Sequence, residues 1–232
     1  MRGMKINVII PVFNESGSIG YVLNDIPHDR VEEVIVVNNG STDNTAGIAR
    51  DAGATVLLET TKGYGAACLK GIEYISNKLP EHQPDIIVFM DGDYSDFPEQ
   101  LIDVVKPIVN NEADMVIGSR AKGKREQGSM YPHQLFGNWL ATTLMRLFLK
   151  ADFSDLGPFR AIRWSSLQEL KMQDTNYGWT VEMQVKAVKN KIRYTEVPVD
   201  YRRRIGKSKI TGTIKGTVLA GYKIIFTIIK YA

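Results

Sequence analysis

Short apolar runs alternate with segments of helical length along the first half of this 232-residue chain. The runs are continuous and rich in β-branched residues, which is typical of parallel strands that are covered on both faces. The order strand–helix–strand–helix predicts an α/β domain with an open, mostly parallel sheet and right-handed crossovers. We predict strands over residues 6–12, 32–39, 54–59, 85–91 and 113–119, and helices over residues 18–24, 45–52, 65–77 and 98–111.

Polar residues follow the predicted strands at the points where the strands end. The carboxyl ends of parallel strands lie at one edge of a sheet, and ligands of such sheets bind in the crevice outside that edge. We therefore expect the polar strand ends to line one crevice. They are Asn14 and Glu15, residues 38–43, Lys62 and Gly63, residues 91–96, and Ser119 with Arg120.

The fourth predicted strand ends in Asp91-Gly92-Asp93, which brings two carboxylates together. Their mutual repulsion costs free energy, and a divalent cation between them would remove it. Gly92 relieves crowding there, so that both carboxylates can face one point. Hard oxygen ligands favour Mg²⁺ or Mn²⁺. The alternative is an acidic turn in which Asp96 caps the helix that begins near Pro98.

Two further segments carry residues that suit a nucleotide. In residues 38–45, Ser41 or Asp43 can cap the next helix, but a carboxylate at a strand end can also accept an N–H of a nucleobase. We predict that Asp43 contacts the nucleotide. Lys62 stands beside Gly63 just before a helix, which fits the edge of a diphosphate site, although the glycine could simply end the strand.

Composition excludes several classes of protein. The hydrophobic content of 44% supports a packed interior, and the single cysteine, Cys68, rules out an internal disulfide or a cysteine metal cluster. A net charge of +3 is too small to argue for nucleic acid. The N-terminal residues fit neither a secretory signal nor a membrane span, so a cytoplasmic protein is expected.

The order of the segments VIIPVFNE, VVNNGSTDNT, KGYGAACLKG, DGDYSDFPEQL, GSR and DLGPFRA, between residues 8 and 161, resembles the family 2 glycosyltransferases. These are inverting enzymes with the GT-A fold, a Rossmann-like nucleotide-diphospho-sugar transferase fold. The resemblance implies that Asp91 and Asp93, with Gly92 between them, bind a metal that bridges the phosphates of a nucleotide sugar. The other residues implied at the donor are Pro11, Asn14, Glu15, Asp43, Lys62 and Gly63.

The second half of the chain resembles the transferases that act on polyprenyl phosphates, the dolichyl-phosphate mannose synthase group. This resemblance rests on residues 154–164, 178–190 and 196–210. Many family 2 enzymes with hydroxyl acceptors carry an adjacent acidic pair that supplies a general base, and this chain has none after residue 96 in the expected place. A lipid phosphate is already anionic near neutral pH, so its attack needs positioning and charge neutralisation more than proton removal.

Cations are then needed for the acceptor phosphate and for the departing nucleoside diphosphate. Arginine suits the geometry of phosphate. The resemblance implies a closing, phosphate-binding loop at residues 203–209, whereas a charge run is otherwise usually solvated surface. The candidate cations are Arg120, Arg160, Arg202, Arg203, Arg204, Lys207 and Lys209.

Two carboxylates in the second half have open roles. We expect Glu182 near the donor sugar, with an exposed helix position as the alternative, and we expect Asp155 either to hold Arg160 or to touch the acceptor. Transfer to a sugar or small-molecule hydroxyl would need one of the two carboxylates as a base. A non-catalytic nucleotide-sugar-binding protein is a third alternative. Trp179 is suited to stacking on a sugar, although burial is commoner for such a residue.

We predict one catalytic domain over residues 1–210, with a nucleotide-sugar-binding half at 1–120 and an acceptor-binding half at 121–210. An amphipathic helix is predicted over residues 211–232, where lysines stand among Leu, Ile and Phe. Such a helix suits a membrane surface, and packing on the domain or on a partner is the alternative. The expected location is peripheral, at the cytoplasmic face of the membrane.

Overall fold

The computed structural model describes residues 3–206 and 214–231. Its strands are β1 (Ile6–Val12), β2 (Glu33–Asn38), β3 (Thr55–Leu58), β4 (Ile86–Phe89), β5 (Met115–Ser119), β6 (Arg160–Arg163) and β7 (Tyr194–Pro198). Its α-helices are α1 (Ile19–Asp25), α2 (Thr45–Asp51), α3 (Tyr64–Ser76), α4 (Leu101–Val109), α5 (Pro132–Leu149), α6 (Trp164–Leu170), α7 (Trp179–Lys189) and α8 (Ile214–Tyr231). Short 3₁₀ turns cover Pro80–His82 and Pro98–Gln100.

The seven strands form one sheet in the order β3-β2-β1-β4-β6-β5-β7. All neighbouring pairs are parallel except those of β6, which runs antiparallel to both β4 and β5. The prediction of a mostly parallel α/β sheet is therefore confirmed. The strands β6 and β7 were not predicted as strands, because each is short and neither is a continuous apolar run.

Both faces of the sheet are covered, as the continuous apolar runs predicted. Successive side chains of a strand point to opposite faces. In β1, Ile9 packs in one buried cluster with α3, α5, α6 and α7, whereas Val8 and Ile10 pack in the other with α1, α2 and α4. Cys68 is fully buried on α3 and serves as a packing residue.

The C-terminal helix α8 contacts α5 and α7. Thr227 and Ile228 are buried in this contact, while Tyr222, Phe226 and Ile229 remain exposed. One face of the helix thus packs on the domain, as one of the two expectations had it, while another face stays apolar and open; contact with a membrane surface stays a prediction. Residues 211–213 of the predicted helix and Ala232 lie outside the described residues. Across the described residues, none of the helices combines the length and the apolar character needed to cross a bilayer.

Candidate active site

A crevice of about 390 Å³ opens at the carboxyl ends of the strands, between β1 and β4. Strands β2 and β3 lie on one side of β1, and β4 and all later strands lie on the other side. The crevice therefore lies between β1 and β4, where the strand order reverses. It is lined by residues from β1, the loops after β1, β2 and β4, the loop before α3 and the first turn of α3, the segment before α7 and the segment after β7. They are Pro11, Val12, Phe13, Glu15, Asn39, Lys62, Gly63, Tyr64, Ala67, Asp91, Gly92, Asp93, Asn176, Tyr177 and Arg204.

The paired carboxylates Asp91 and Asp93 lie at the floor of this crevice. Asp93 is almost fully buried and accepts hydrogen bonds from the backbone N–H and the hydroxyl of Ser95, at 2.9 and 2.5 Å. Asp91 Oδ1 is buried with no hydrogen-bond partner among the described residues. Burial and the neighbouring Asp93 carboxylate raise the pKa of Asp91 to about 7. The residue between them must be small, because a Cβ at Gly92 would lie 2.6 Å from Val12 Cγ1.

Asp96 does not cap a helix, so that alternative is wrong. The residue before the 3₁₀ turn is Phe97, and no side chain caps that turn. Both carboxyl oxygens of Asp96 are instead buried without a hydrogen-bond partner in the described part of the chain. Burial, together with the charges of Asp91 and Asp93, raises the pKa of Asp96 well above its usual range. Burial therefore favours the neutral form of the Asp96 carboxyl group.

Arg204 reaches into the crevice from the segment after β7. Its guanidinium lies 3.1 Å from Asp93 Oδ2 and 3.2 Å from Glu15 Oε1, so it joins the end of β4 to the loop after β1. The backbone around it is fixed to the loop after β4, since Arg202 N–H donates to the Ser95 carbonyl and Ile205 N–H to the Asp93 carbonyl, at 3.0 and 2.9 Å. We call residues 201–206 the strap.

Asn14 and Asp43 lie beside the crevice and tie the loops after β1 and β2 together. Asn14 Oδ1 accepts the N–H of Thr42 at 2.8 Å, and Asp43 accepts the N–H of Ser16 at 3.2 Å. Burial acts to raise the pKa of Asp43, but hydrogen bonds from Thr45 and Ser16 outweigh it and lower the pKa to about 2. Asp43 is therefore held as a carboxylate, and neither residue borders the crevice itself.

Lys62 and Gly63 line the crevice on the side of α3. Gly63 has φ of +145°, and a Cβ there would lie 2.1 Å from the Thr175 carbonyl oxygen. The same close approach occurs at Gly65, where a Cβ would lie 2.0 Å from the Asp174 carbonyl oxygen. Glycine is thus required because residues 174–176 pass directly over the start of α3, and this passage brings Asn176 and Tyr177 into the crevice wall.

Arg120 lies outside the crevice, contrary to its predicted phosphate-binding place. Its guanidinium forms a two-pronged ion pair with Asp155, at 2.8 and 2.7 Å, and lies over the Tyr201 ring. Asp155 therefore holds Arg120 and not Arg160. The topology explains the displacement: antiparallel β6 stands between β4 and β5, so the end of β5 is one strand further from the crevice than the sequence suggests.

Two more predicted cations are also structural. Arg160 is fully buried, and its guanidinium donates to the carbonyls of Leu156, Gly157 and Thr180. The Arg202 guanidinium is packed on Tyr94, 3.3 Å from the ring centroid, and on Phe97. Arg202 therefore fastens the strap and does not line the crevice. Lys207 and Lys209 lie outside the described residues.

Glu182 is neither in the crevice nor exposed. It is buried on α7, where it accepts the backbone N–H groups of Gln173 and Asp174 and pairs with Lys186 at 2.7 Å. It borders a second cavity of about 220 Å³ under α8. By holding residues 173 and 174, Glu182 supports the segment that leads to Asn176 and Tyr177. Trp179 is buried against Phe89, which is the commoner outcome expected for such a residue, and it does not stack on a sugar in the crevice.

Asn39 lies within the predicted range 38–43, whereas three polar crevice residues were not predicted from the sequence: Tyr64, Asn176 and Tyr177. Asn39 holds the loop before α3, because its side chain donates to the Glu59 and Thr61 carbonyls and accepts the Gly63 N–H. The glycine pair at 63 and 65 was the available signal for the others, since it demands a close backbone neighbour. The sequence does not identify that neighbour as residues 174–176.

The family match gives the class of protein to which this fold and crevice belong. The model of the family described as glycosyl transferase family 2 matches residues 7–171. The chain belongs to that family, and the prediction of a glycosyltransferase is confirmed.

Individual relatives agree with that assignment. An uncharacterised glycosyltransferase of Mycobacterium tuberculosis is 31% identical over 95% of this chain and 96% of its own length. The undecaprenyl-phosphate mannosyltransferase of Micrococcus luteus is 30% identical over 92% of this chain and 90% of its own. A dolichyl-phosphate N-acetylglucosaminyltransferase of Methanococcus voltae, with UDP-N-acetylglucosamine as its named donor, is 27% identical over 99% and 96%.

Solved structures confirm the GT-A fold. The glucosyl-3-phosphoglycerate synthase of Mycobacterium tuberculosis, in a complex with Mn²⁺, UDP and glucosyl-3-phosphoglycerate, superposes with a TM-score of 0.74 over 99% of this chain and 80% of its own. Its sequence identity is 19%. At that identity the likeness is one of fold.

Proposed function

We propose that this protein is a metal-dependent inverting glycosyltransferase that moves one hexose from a nucleotide sugar, UDP- or GDP-linked, to a polyprenyl phosphate. The observation that carries the proposal is the crevice itself, in which Asp91 and Asp93 face Lys62 and Arg204. Paired carboxylates and cations in one crevice together suit a diphosphate that is bound partly through a metal ion.

Asp91 and Asp93 fit Mg²⁺ or Mn²⁺. A buried carboxylate oxygen without a partner and a raised pKa are both features that a divalent cation would relieve. Among the described residues no group of three or more acidic, histidine or cysteine side chains is arranged as a complete metal site. Donor phosphates and water would then supply the other ligands, as is common for Mg²⁺. When bound, the metal would neutralise charge on the departing diphosphate.

The nucleotide is proposed to lie along the loops after β1 and β2. Pro11 and Glu15 line the crevice there, with Gly63 and Lys62 opposite. Asn14 and Asp43 fix the shape of those loops from outside the crevice. Arg204 would neutralise phosphate, and Lys209 remains a proposed phosphate contact by resemblance.

The surroundings of the two candidate bases favour a phosphate acceptor over a hydroxyl acceptor. Asp155 is buried in its ion pair with Arg120, and Glu182 is buried under α8. Neither borders the crevice. An acceptor that is already anionic does not require a base, so this arrangement fits a lipid phosphate. The printed activities of the Micrococcus luteus and Methanococcus voltae relatives support the same acceptor class.

An exposed apolar surface on α5 and α8 supports peripheral membrane contact, at the cytoplasmic face. Phe136 and Trp139 on α5 are 60% and 59% exposed, and Tyr222 and Phe226 on α8 are 67% and 46% exposed. The two helices contact each other, so these exposed rings lie on neighbouring elements. Aromatic rings of this kind insert at the headgroup level of a bilayer.

The test is transfer of radiolabel from UDP-glucose, GDP-mannose and UDP-N-acetylglucosamine to a short polyprenyl phosphate, with the corresponding polyprenol as the matched hydroxyl acceptor. We expect label in the phosphate lipid only, and only with Mg²⁺ or Mn²⁺. Asp93→Asn should lower the rate by about a hundredfold or more, while Asp103→Asn, an exposed change on α4, should not. Equal labelling of the alcohol would favour a hydroxyl acceptor, and labelling of neither would overturn the lipid assignment.

A further inference from the structure

The contacts of Arg204 carry an inference that rests on the proposed metal-dependent function. Its guanidinium lies between carboxylates of two different loops, 3.1 Å from Asp93 and 3.2 Å from Glu15. Asp93 is one of the two residues proposed to hold the metal. A positive group of the chain itself thus occupies the place next to Asp93 that a divalent cation would need.

The surroundings of Arg204 allow its side chain to move away from Asp93. Its Nε is buried without a hydrogen-bond partner in the described part of the chain, so the guanidinium is not fully satisfied where it lies. The side chain is 28% exposed and lines the crevice, which leaves open space beside it. By contrast, the Arg202 guanidinium is packed on two rings and donates to the Tyr94 and Asp96 carbonyls, at 2.7 and 3.1 Å.

The strap keeps the Arg204 backbone in place when its side chain moves. Arg202 N–H and Ile205 N–H are bonded to carbonyls of the loop after β4, one on each side of Arg204. Tyr201 pairs with Asp96 in a single β-bridge and closes the same attachment. A side chain that leaves Asp93 therefore remains within the crevice, where the donor diphosphate is proposed to lie.

We propose that Arg204 is a tethered counter-ion for Asp93 in the metal-free enzyme. When a divalent cation binds Asp93, the Arg204 side chain leaves Asp93 and pairs with the phosphates of the donor. In the metal-free enzyme the ion pair between Arg204 and Asp93 competes with the metal, because the metal binds only the state in which Asp93 is released. Removal of the Arg204 charge should therefore increase the affinity for the metal when no nucleotide is present. With the nucleotide present this advantage disappears, because the wild-type arginine then gains a phosphate partner.

The test measures Mn²⁺ binding without nucleotide, by the electron paramagnetic resonance signal of free Mn²⁺. We expect Arg204→Gln to bind Mn²⁺ about fivefold or more tightly than the wild type, the lower range of coupling between linked sites. Arg204→Lys should lie between them, and it carries the test if the glutamine variant does not fold. Arg203→Gln is the matched control, because Arg203 is 62% exposed and pairs with Glu126 away from the crevice. It should match the wild type.

A second titration in the presence of UDP separates the two proposals. If UDP promotes Mn²⁺ binding to the wild type and Asp93→Asn abolishes it, the metal site stands. The counter-ion role is then overturned if Arg204→Gln binds Mn²⁺ without UDP no more tightly than the wild type. If the wild type binds no Mn²⁺ even with UDP, both the metal-dependent function and the counter-ion role fall.

Discussion

Residues 3–97 and residues 115–206 use their charged side chains in different ways. In the first region Glu15, Lys62, Asp91 and Asp93 all open into one crevice. In the second region Arg120, Arg160 and Glu182 are enclosed by the protein and hold its parts together. The difference teaches that a charged residue in this fold is a candidate for ligand binding only where the topology turns it toward the crevice.

The physical cause is the direction of the strands. Strands β1, β2, β3 and β4 are parallel, so the residues that follow them reach the same edge of the sheet. Strand β6 is antiparallel and lies between β4 and β5, so the carboxyl end of β5 is at the same edge of the sheet but one strand further from the crevice. Arg204 is the exception in the second region, because the strap carries it back to the loop after β4.

The largest effect that tests this comparison is expected at Asp155. Asp155→Ala leaves the buried Arg120 without its partner, which should lower the free energy of unfolding by about 3–5 kcal/mol. The control is Asp152→Ala, since the Asp152–Arg146 pair is 84% and 62% exposed and should contribute less than about 1 kcal/mol. Equilibrium urea unfolding measures both. If both variants lose the same free energy of unfolding, the buried ion pair between Arg120 and Asp155 does not stabilise the second region more than an exposed pair does.

The sequence predicted the first region more completely than the second for the same reason. The apolar runs that became β1 to β5 mark buried parallel strands, and their polar ends are adjacent to them in the chain, so Asp91, Asp93, Glu15 and Lys62 could be assigned to one crevice. Residues such as Asn176, Tyr177 and Arg204 reach the crevice from segments far away in the chain. Nothing near them in sequence distinguishes Arg204, which lines the crevice, from Arg202, which is packed on Tyr94.

The next effect concerns the contact that joins the two regions. Gly63→Ala places a Cβ against the Thr175 carbonyl at a strained backbone angle, and we expect a loss of about 2–3 kcal/mol in the free energy of unfolding. Weaker UDP binding should accompany it, because Asn176 and Tyr177 move. Gly40→Ala is the control: Gly40 also has positive φ, but its Cβ would meet nothing within 4 Å, so only about 1 kcal/mol is expected. If the two variants bind UDP with similar affinity, the contact at Gly63 does not position Asn176 and Tyr177 for UDP binding.

A smaller effect tests whether the apolar surface of α5 faces lipid. Replacing both Phe136 and Trp139 by Ser should weaken binding to vesicles that contain anionic lipid by about tenfold, equivalent to about 1.4 kcal/mol. Leu79→Ser is the control, since Leu79 is 62% exposed but lies before β4, at the opposite edge of the sheet. Sedimentation with vesicles measures the binding. Unchanged binding of the double variant would remove α5 from the proposed membrane contact.

The smallest effect is expected at Asp43, an exposed carboxylate of the first region that shapes the loops without lining the crevice. Its folded-state pKa of about 2 lies below the ordinary aspartate pKa of 3.8, so its contribution to stability is present above pH 3.8 and is lost as pH falls toward about 2. Asp43→Asn should therefore be less stable than the wild type at about pH 5, and the gap should narrow as the pH falls below about 4 and close at about pH 2. Urea unfolding at several pH values measures this gap, with Asp51→Asn, an exposed change at the end of α2, as the control. A gap that stays constant would mean that the hydrogen bonds from Ser16 and Thr45 do not depend on the charge of Asp43.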